Sequence, residues 1–576
     1  MKTFSVAIIG FGPKGLYALE RLLAFIKAEK THQISIYVFN KTSFFGSGDI
    51  YRSDQPHYLL MNYANENINS WYKNEPEPIV KNAESYVEWK ARKEKIQQEE
   101  LLEKFSARAE VGEYLEWSFQ QLLENLPKNC SIHQEVIEIG DLQKENEKIQ
   151  LFSTSTEKYH VKFDQVMITT GHQRHKIEKN HSQVIPFIYP VEKKLEEILP
   201  NKTIAIKGLG LTFIDAVLAL TEGKGGKFTK IKNGFSYQFS GSEPKKIIPF
   251  SRTGLPMFPK LNLKDENLPS YLSQATSKFS RPYDFEKELF PLILQDILFA
   301  YYKSFFQQKN EKLSYAEDFK KVEQQIEKFH QKYPKIEKFS WKKLTNPHFS
   351  TENLHDATAK YLSFLISEKE KPRESPYLMA ASAWKKISAE FNELYSFNGL
   401  TPKSQELFDK TYFGLFNRIA FGPPVKNLQK IQALVECGII DFSFVKNPIV
   451  DLNSEKVQLK KSHEIVDCDY LIDARIPKND MEKEQSGLFK NIIQHKFGRL
   501  NKNKSDDFTY IPGNLAISKK GDLLEPSGKP DAQISLYGTP TEGSVYDNDT
   551  LSRERNNFAD CWAQKAIQAI KNKTHA

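Results

Sequence analysis

The chain has 576 residues, 39% of them hydrophobic and 27% charged, the composition of a folded water-soluble protein with material for about three or four folding units. Its net charge of +8 is thinly spread, which suits anionic cofactors and argues against nucleic acid, where a concentrated basic face is needed. The four cysteines, Cys130, Cys437, Cys468 and Cys561, include no Cys-x-x-Cys pair; this argues against a zinc ribbon or a redox-active dithiol and favours a reducing cytoplasm.

Residues 4–9 predict a buried strand, because the apolar run is short and enters a glycine loop directly, unlike a signal peptide. The loop is Gly10-Phe-Gly12-Pro13-Lys-Gly15. Leu16, Leu19, Leu22, Leu23 and Ile26 follow at helical spacing, and residues 34–39 predict a second strand. Strand, loop, helix and strand make a βαβ unit with a parallel sheet. Short strands over 135–139, 149–152 and 159–163 predict a small meander that leads into Val166-Met-Ile-Thr-Thr170-Gly171. A second unit opens with a strand at 203–206 and the loop Gly208-Leu-Gly210-Leu-Thr212-Phe-Ile-Asp215, its helix continuing through 216–220.

Residues 262–438 change to long helical runs, with Leu354, Ala357, Tyr361 and Leu365 at helical spacing. The apolar stretch 289–302 contains Pro291, Gln295 and Asp296 and is too short to span a bilayer, so no membrane segment is predicted. The Lys/Glu-rich run 317–332 reads as a solvated helix face. A second meander is expected over 441–445, 457–459 and 464–466, leading into Tyr470-Leu-Ile-Asp473-Ala-Arg475. The chain closes with Tyr537-Gly538-Thr-Pro-Thr-Glu-Gly543 and a helix carrying Phe558, Trp562, Ala566 and Ile570. The expected architecture is α/β: two Rossmann-like nucleotide-binding units with small β-meanders, plus a mainly α-helical insertion. The expected boundaries are 1–195 with 476–576, 196–261 with 439–475, and 262–438 for the insertion.

The first loop matches G-x-G-x-x-G in the required setting, after a strand and before a helix. Gly10 permits the tight turn, Gly12 lets the backbone approach a pyrophosphate, and Gly15 lets the helix pack on the sheet with its amides facing the anion. A glycine turn without ligand is the bland alternative, which the strand–loop–helix setting disfavours. Asn40 ends the second strand where Asp or Glu usually binds the adenosine ribose; an amide bonds a hydroxyl but lacks the charge. Phe213 stands in the second loop where glycine or alanine is usual, and is expected to hold helix and sheet further apart. Arg252 follows a predicted strand, 246–250, and suits a 2′-phosphate, favouring NADPH over NADH; a surface arginine is the alternative. His172, His175 and His181 cluster in an expected loop that offers neither fixed geometry nor a fourth ligand, so no metal site is predicted. The absence of G-x-S-x-G, Walker and H-E-x-x-H motifs excludes the common hydrolase and kinase readings.

The glycine loop, Phe45-Gly46-Ser-Gly48 and Gln55-Pro-His-Tyr-Leu-Leu-Met-Asn62 together resemble the bacterial FAD/NAD(P)-binding protein family, related to class B flavin monooxygenases, including amino-acid N-oxygenases. The resemblance extends over nearly the whole chain through Arg108 with Gly112-Glu-Tyr114, Thr170-Gly171-His172, Gly208 to Thr212 with Asp215, Ser251-Arg-Thr-Gly-Leu-Pro256, Phe421-Gly-Pro-Pro424 and Asp473-Ala-Arg475. It implies FAD in the first unit and NAD(P)H in the second, with Gln55 and Asn62 near the isoalloxazine ring; a structural loop is equally compatible with those two residues. Gly46, Arg108, Thr170, Gly171, Gly538 and Gly543 are expected among the FAD contacts, and Gly208, Gly210, Thr212 and Arg252 among those of the nicotinamide cofactor. No acid or base is singled out, since flavin chemistry asks the protein for orientation, electrostatics and exclusion of water. The activity implied is an NADPH-dependent monooxygenase acting on a small polar substrate such as an amino-acid amine. The insertion would cover the substrate, with Tyr377, Trp384, Tyr412 and Phe413 as pocket wall or simple core. The alternatives are a flavin reductase that passes electrons to another acceptor and a non-catalytic nucleotide-binding or sensing protein, which Asn40 and Phe213 favour. The expected partners are a small-molecule substrate and a nicotinamide cofactor, with no nucleic acid and no membrane; no oligomeric state is predicted.

Overall fold

Val6, Ala7, Ile8 and Ile9 run without a polar break, the mark of a strand covered on both faces, and all are buried. The computed structural model describes residues 3–30, 32–172, 182–261, 268–347, 353–371, 373–452, 455–477, 479–481, 487–553 and 555–575. The chain divides into Met1–Ile177 with Tyr395–Asn398 and Ile476–Ala576, and Glu178–Leu394 with Gly399–Arg475.

In the first unit Thr3–Ile9 is a central strand. It pairs in parallel with Gln33–Asn40 on one side and Gln165–Ile168 on the other. Cys130–Val136 continues the sheet beyond Gln33–Asn40, and Pro530–Leu536 continues it beyond Gln165–Ile168, both in parallel. Asp522–Leu524 closes that second edge antiparallel. The helix Pro13–Ile26 buries Leu16, Leu19, Leu22, Leu23 and Ile26, while Phe558, Trp562, Ala566 and Ile570 of the last helix are buried in the same core. Each fully buried Leu, Ile or Phe side chain contributes about 1.5–3 kcal/mol, so both helices are anchored by their apolar faces. The meander is Ile139–Glu145, Lys148–Ser153 and Lys158–Phe163. The strand expected over 135–139 is divided: residues up to Val136 finish the parallel edge strand, and Ile139 begins the meander.

The second unit repeats the plan. Thr203–Lys207 is central, flanked in parallel by Lys246–Phe250 and Tyr470–Asp473, with Val184–Ile185 beyond the latter. Its meander is Ile449–Asp451, Val457–Lys461 and Glu464–Cys468. The strand expected at 441–445 is a correction. That stretch runs beside Lys246–Phe250 and is bonded at both ends, through Asp441 N to Ile247 O at 2.9 Å and Ser251 N to Val445 O at 2.9 Å. A turn closed by Val445 N to Phe442 O at 3.0 Å interrupts it. Phe442 and Val445 are buried there, so the apolar pattern reported burial but not which neighbour supplied it. A hairpin, Lys227–Ile231 with Gly234–Gln238, was not foreseen.

The helical segment includes Phe290–Gln308, Phe319–Lys332, Leu354–Glu370, Pro376–Tyr395, Phe413–Ala420 and Val425–Glu436. Phe319–Lys332 buries Val322, Ile326 and Phe329 and leaves most of its charges outside, as its pattern requires. Trp384 is fully buried and stacks on Phe416 at 3.8 Å, with Phe391 and Phe408 beside it. Tyr412 packs against Phe285 at 4.7 Å and Tyr377 edge-on to Tyr301 at 5.9 Å. Trp384 and these neighbours form the aromatic core of the segment. Among the described residues no helix is long and apolar enough to cross a membrane.

Candidate functional site

The first loop is shaped by close backbone approaches. Gly10 has φ +87°, a region that favours glycine, and its N–H donates to Phe39 O at 2.9 Å. A Cβ on Gly15 would stand 2.5 Å from Gly10 O. Gly12 caps the helix with φ −87° and ψ −160° and supplies no side chain to its first-turn amides, and no acidic residue occupies that turn. Those donors are left for an anion. Gly48 packs on Gly12, and Gly46 N donates to Phe11 O at 2.9 Å, so the Phe45 to Gly48 segment is part of the same cradle.

Asn40 is buried and spends its amide on the chain itself: Oδ1 accepts from Phe11 N at 3.4 Å, and Nδ2 donates to Thr42 O at 3.0 Å and Phe44 O at 3.2 Å. Gln55 is buried, with Nε2 donating to Ile50 O at 2.9 Å. Asn62 is half-buried near the start of the Ala64–Ile68 turn. Arg108 opens the helix Arg108–Glu124, its N–H donating to Leu59 O at 2.8 Å, and its charge faces Tyr51, whose hydroxyl burial pushes up to about 12. A Cβ on Gly112 would overlap the carbonyl oxygen of Tyr51, and Tyr114 donates to Glu84 O at 2.8 Å; these contacts explain the Gly-x-Tyr element.

Thr170 and Gly171 follow Gln165–Ile168, at the carboxyl end of the sheet beside the glycine loop. The Thr170 hydroxyl is buried without a partner, and among the described residues nothing lies within 4 Å of a Cβ on Gly171. His172 Nε2 lies 3.6 Å from Asp549 Oδ2, and burial holds its imidazole below the ordinary range. His175 and His181 lie outside the described residues. Gly538 and Gly543 both have positive φ, +78° and +101°, in the loop after Pro530–Leu536. A Cβ on Gly538 would come 2.8 Å from Lys14 Cγ, and one on Gly543 would come 2.6 Å from Asn514 Oδ1. Glu542, between them, is half-buried, and desolvation together with Asp549 pushes its carboxyl well up.

The second loop reproduces the first. Gly208 has φ +120° and donates to Phe250 O at 2.8 Å, and Gly210 caps the helix Leu211–Leu220 at φ −88° and ψ −162°, nearly the angles of Gly12. Its helix also has neither a side-chain cap nor an acidic first turn, and Thr212 is buried. Phe213 is buried in a small apolar pocket with Leu209, Pro256, Met257 and Phe442. Asp215 is buried and accepts from the Tyr189 hydroxyl, a structural role. Arg252, just after Lys246–Phe250, is exposed, its Nη1 donating to Lys410 O at 3.3 Å. Two further cations share that end of the sheet: Lys207, which sequence reasoning missed and which is lowered by burial and by Arg475, and Arg475 of the Asp473-Ala-Arg475 motif, which is paired with Asp473 at 2.6 Å.

Another missed residue is Arg418. It is buried, Nη2 donates to Thr345 O at 2.6 Å, and Nε and Nη1 have no partner. Phe258 and Tyr361 lie beside it, and no carboxylate pairs with it among the described residues.

Paired strand–glycine loop–helix units with open first-turn amides define a dinucleotide-binding protein. Residues 7–173 match the FAD-NAD(P)-binding family, and the chain is an FAD/NAD(P)-dependent oxidoreductase. Across its length it is similar to nitrosuccinic acid synthase of Aspergillus oryzae, 24% identical over 93% of this chain and 88% of that protein. L-aspartate N-monooxygenase (nitrosuccinate-forming) of Streptomyces davaonensis is 22% identical over 93% of this chain and 92% of that one. Ornithine hydroxylase from Pseudomonas aeruginosa, a solved structure, aligns over 99% of this chain and 100% of that chain at 10% identity, with a TM-score of 0.47.

Proposed function

We propose that this protein is an NADPH-dependent flavin monooxygenase that hydroxylates the amine of a small acidic amino acid, with aspartate the first candidate. The observation that carries the reading is the repeated glycine-loop geometry, Gly12 and Gly210 agreeing within a few degrees. Similarity to aspartate N-monooxygenases over 93% of the chain supports the choice of substrate.

In this reading the first unit holds FAD. Gly10, Gly12, Pro13 and Gly15 seat the diphosphate; Gly46, Thr170, Gly171, Gly538 and Gly543 keep side chains out of its path, while Gln55, Asn62 and Arg108 support the loop around it. Asn40 acts through the turn that it ties to Phe11 and Phe44. The unpartnered Thr170 hydroxyl and the uncapped helix amides fit such a ligand. In the second unit Gly208, Gly210 and Thr212 seat the nicotinamide dinucleotide. Arg252, with Lys207 and Arg475 nearby in the sequence of strand ends, answers a 2′-phosphate. Bound FAD supplies hydride acceptance and oxygen activation; the protein binds, orients and keeps out water. One oxygen atom enters the N–H bond and the other leaves as water, with NADPH and one proton supplying two electrons and two protons in all. Arg418, a buried cation without an anion, suits a carboxylate-bearing substrate. A reducing cytoplasm suits the chemistry and the four free cysteines.

The test is to supply FAD, NADPH, aspartate and ¹⁸O₂ to the full chain. N-oxygenated aspartate carrying ¹⁸O, with NADPH consumption that depends on aspartate, is expected. Flavin reduction with all oxygen recovered as hydrogen peroxide, whichever amino acid is offered, would replace this reading with a reductase.

A further inference from the structure

Lys14 occupies the fifth position of the glycine loop, in the first turn of the helix Pro13–Ile26. Only 8% of it is exposed. Its ammonium donates to Ser552 O at 3.3 Å and sits 4.7 Å over the Tyr537 ring. Glycine at 538 is what lets the stem pass, since a Cβ there would meet Lys14 Cγ at 2.8 Å. The carboxylates that face it, Asp549, Asp547 and Glu542, act only at a distance, and none forms an ion pair with it.

The neighbouring cation makes the contrast plain. Arg553 is also buried, but Glu20 answers it at 2.7 Å and Ser70 O accepts from its Nη1 at 2.5 Å. Arg553 repels Lys14, so the ammonium is desolvated and unpaired beside a like charge. A buried charge without a counter-ion is strongly unfavourable. A fold that keeps one in its anion-binding loop has a missing partner of negative charge. Two further groups await a partner in the same place: the Tyr537 hydroxyl, fully buried, and the Thr170 hydroxyl.

We infer that Lys14 is the cation that neutralises the diphosphate of FAD. The inference rests on the flavoprotein reading and adds a residue to it. Burial lowers the free ammonium to about 7, against the pull of Asp549, Asp547 and Glu542 and with the push of Arg553. Tyr17 and Tyr537, the other titratable groups facing it, are both raised by burial and stay neutral. FAD binding above neutral pH therefore requires uptake of a proton, and affinity falls as pH rises.

The experiment titrates apoprotein of the full chain with FAD, ADP and riboflavin between pH 6 and 9, comparing wild type, Lys14→Met and Lys14→Arg. The expected result is that Lys14→Met weakens FAD and ADP by about tenfold or more at pH 6.5. Riboflavin is unaffected, the wild-type decline with pH disappears, and Lys14→Arg binds without that decline. Equal losses for riboflavin and ADP would assign the charge to the flavin ring and overturn the inference. So would a Lys14→Met protein that matches wild type across the pH range. Should Lys14→Met fail to fold, a wild-type FAD affinity that is flat from pH 6 to 9 overturns it alone. A wild-type chain that binds ADP but no flavin at any pH overturns the flavoprotein reading itself, an outcome distinct from the others.

Discussion

Thr170 stands directly against Gly10: a Cβ on Gly10 would come 2.8 Å from both the Thr170 Cα and its backbone nitrogen. The glycine is required twice, by that contact and by its φ of +87°. Gly10→Ala is expected to cost about 1–3 kcal/mol from backbone strain and more from displacing the Thr170 strand end. Flavin content per chain and the melting temperature both fall. Gly414→Ala is the control, since it belongs to the second unit and its Cβ would meet only Arg252 Nη2, at 3.8 Å, among the described residues. Equal retention of flavin by both variants would refute the argument.

Arg252 is exposed, and its Nη1 donates to Lys410 O. Arg252→Ala is expected to raise KM for NADPH about tenfold, the loss of a charge-assisted contact to phosphate, with KM for NADH little changed. Steady-state kinetics with the two cofactors checks this. An equal change for both would remove Arg252 from 2′-phosphate recognition.

Arg418 carries two buried N–H groups without partners. A buried charge without a partner carries an uncompensated desolvation cost, which a similar-sized apolar residue removes. Arg418→Met is expected to unfold at higher denaturant concentration than wild type while its KM for aspartate rises. A variant that is less stable, with unchanged KM, would show that the guanidinium serves the fold.

Asp296 is buried, accepts from Tyr271 N at 2.6 Å and Leu272 N at 3.0 Å, and burial raises its carboxyl to about 8. Glu390 nearby is raised as well, and Lys386 opposes the shift. The folded protein thus holds a proton that the unfolded chain releases near pH 4. The stability from this site is fully present below that pH and is lost progressively as pH rises towards 8. Asp296→Asn, which cannot titrate, is expected to flatten the fall in unfolding free energy between pH 5 and 8. Chemical denaturation across that range reads the slope, and an unchanged slope would refute the assignment.

The glycine loops were legible because their requirement is local. Gly10, Gly12 and Gly208, Gly210 are demanded by turns a few residues long, and the geometry repeats as the pattern implied. Gly112 was recognisable only as part of a motif; its reason, the carbonyl of Tyr51, comes from a distant segment. The stretch 441–445 shows the same limit. Its apolar residues announced burial, and the neighbouring strand Lys246–Phe250 with an interrupting turn decided its form. Asn40 reads in the sequence as standing in place of the acid that binds the adenosine ribose; its partners Phe11, Thr42 and Phe44 depend on how the next loop folds back.

By itself the sequence determined the class of fold, the two dinucleotide loops and the helical character of the insertion, because backbone conformation and periodic burial are set by neighbours along the chain. Only the tertiary structure decided which charges are unpaired. Lys14 and Arg418 look like ordinary surface cations in one dimension. What distinguishes them is the absence of a carboxylate in three dimensions, and the cost of leaving a buried charge alone is set by whatever distant segments bring, or fail to bring, beside it.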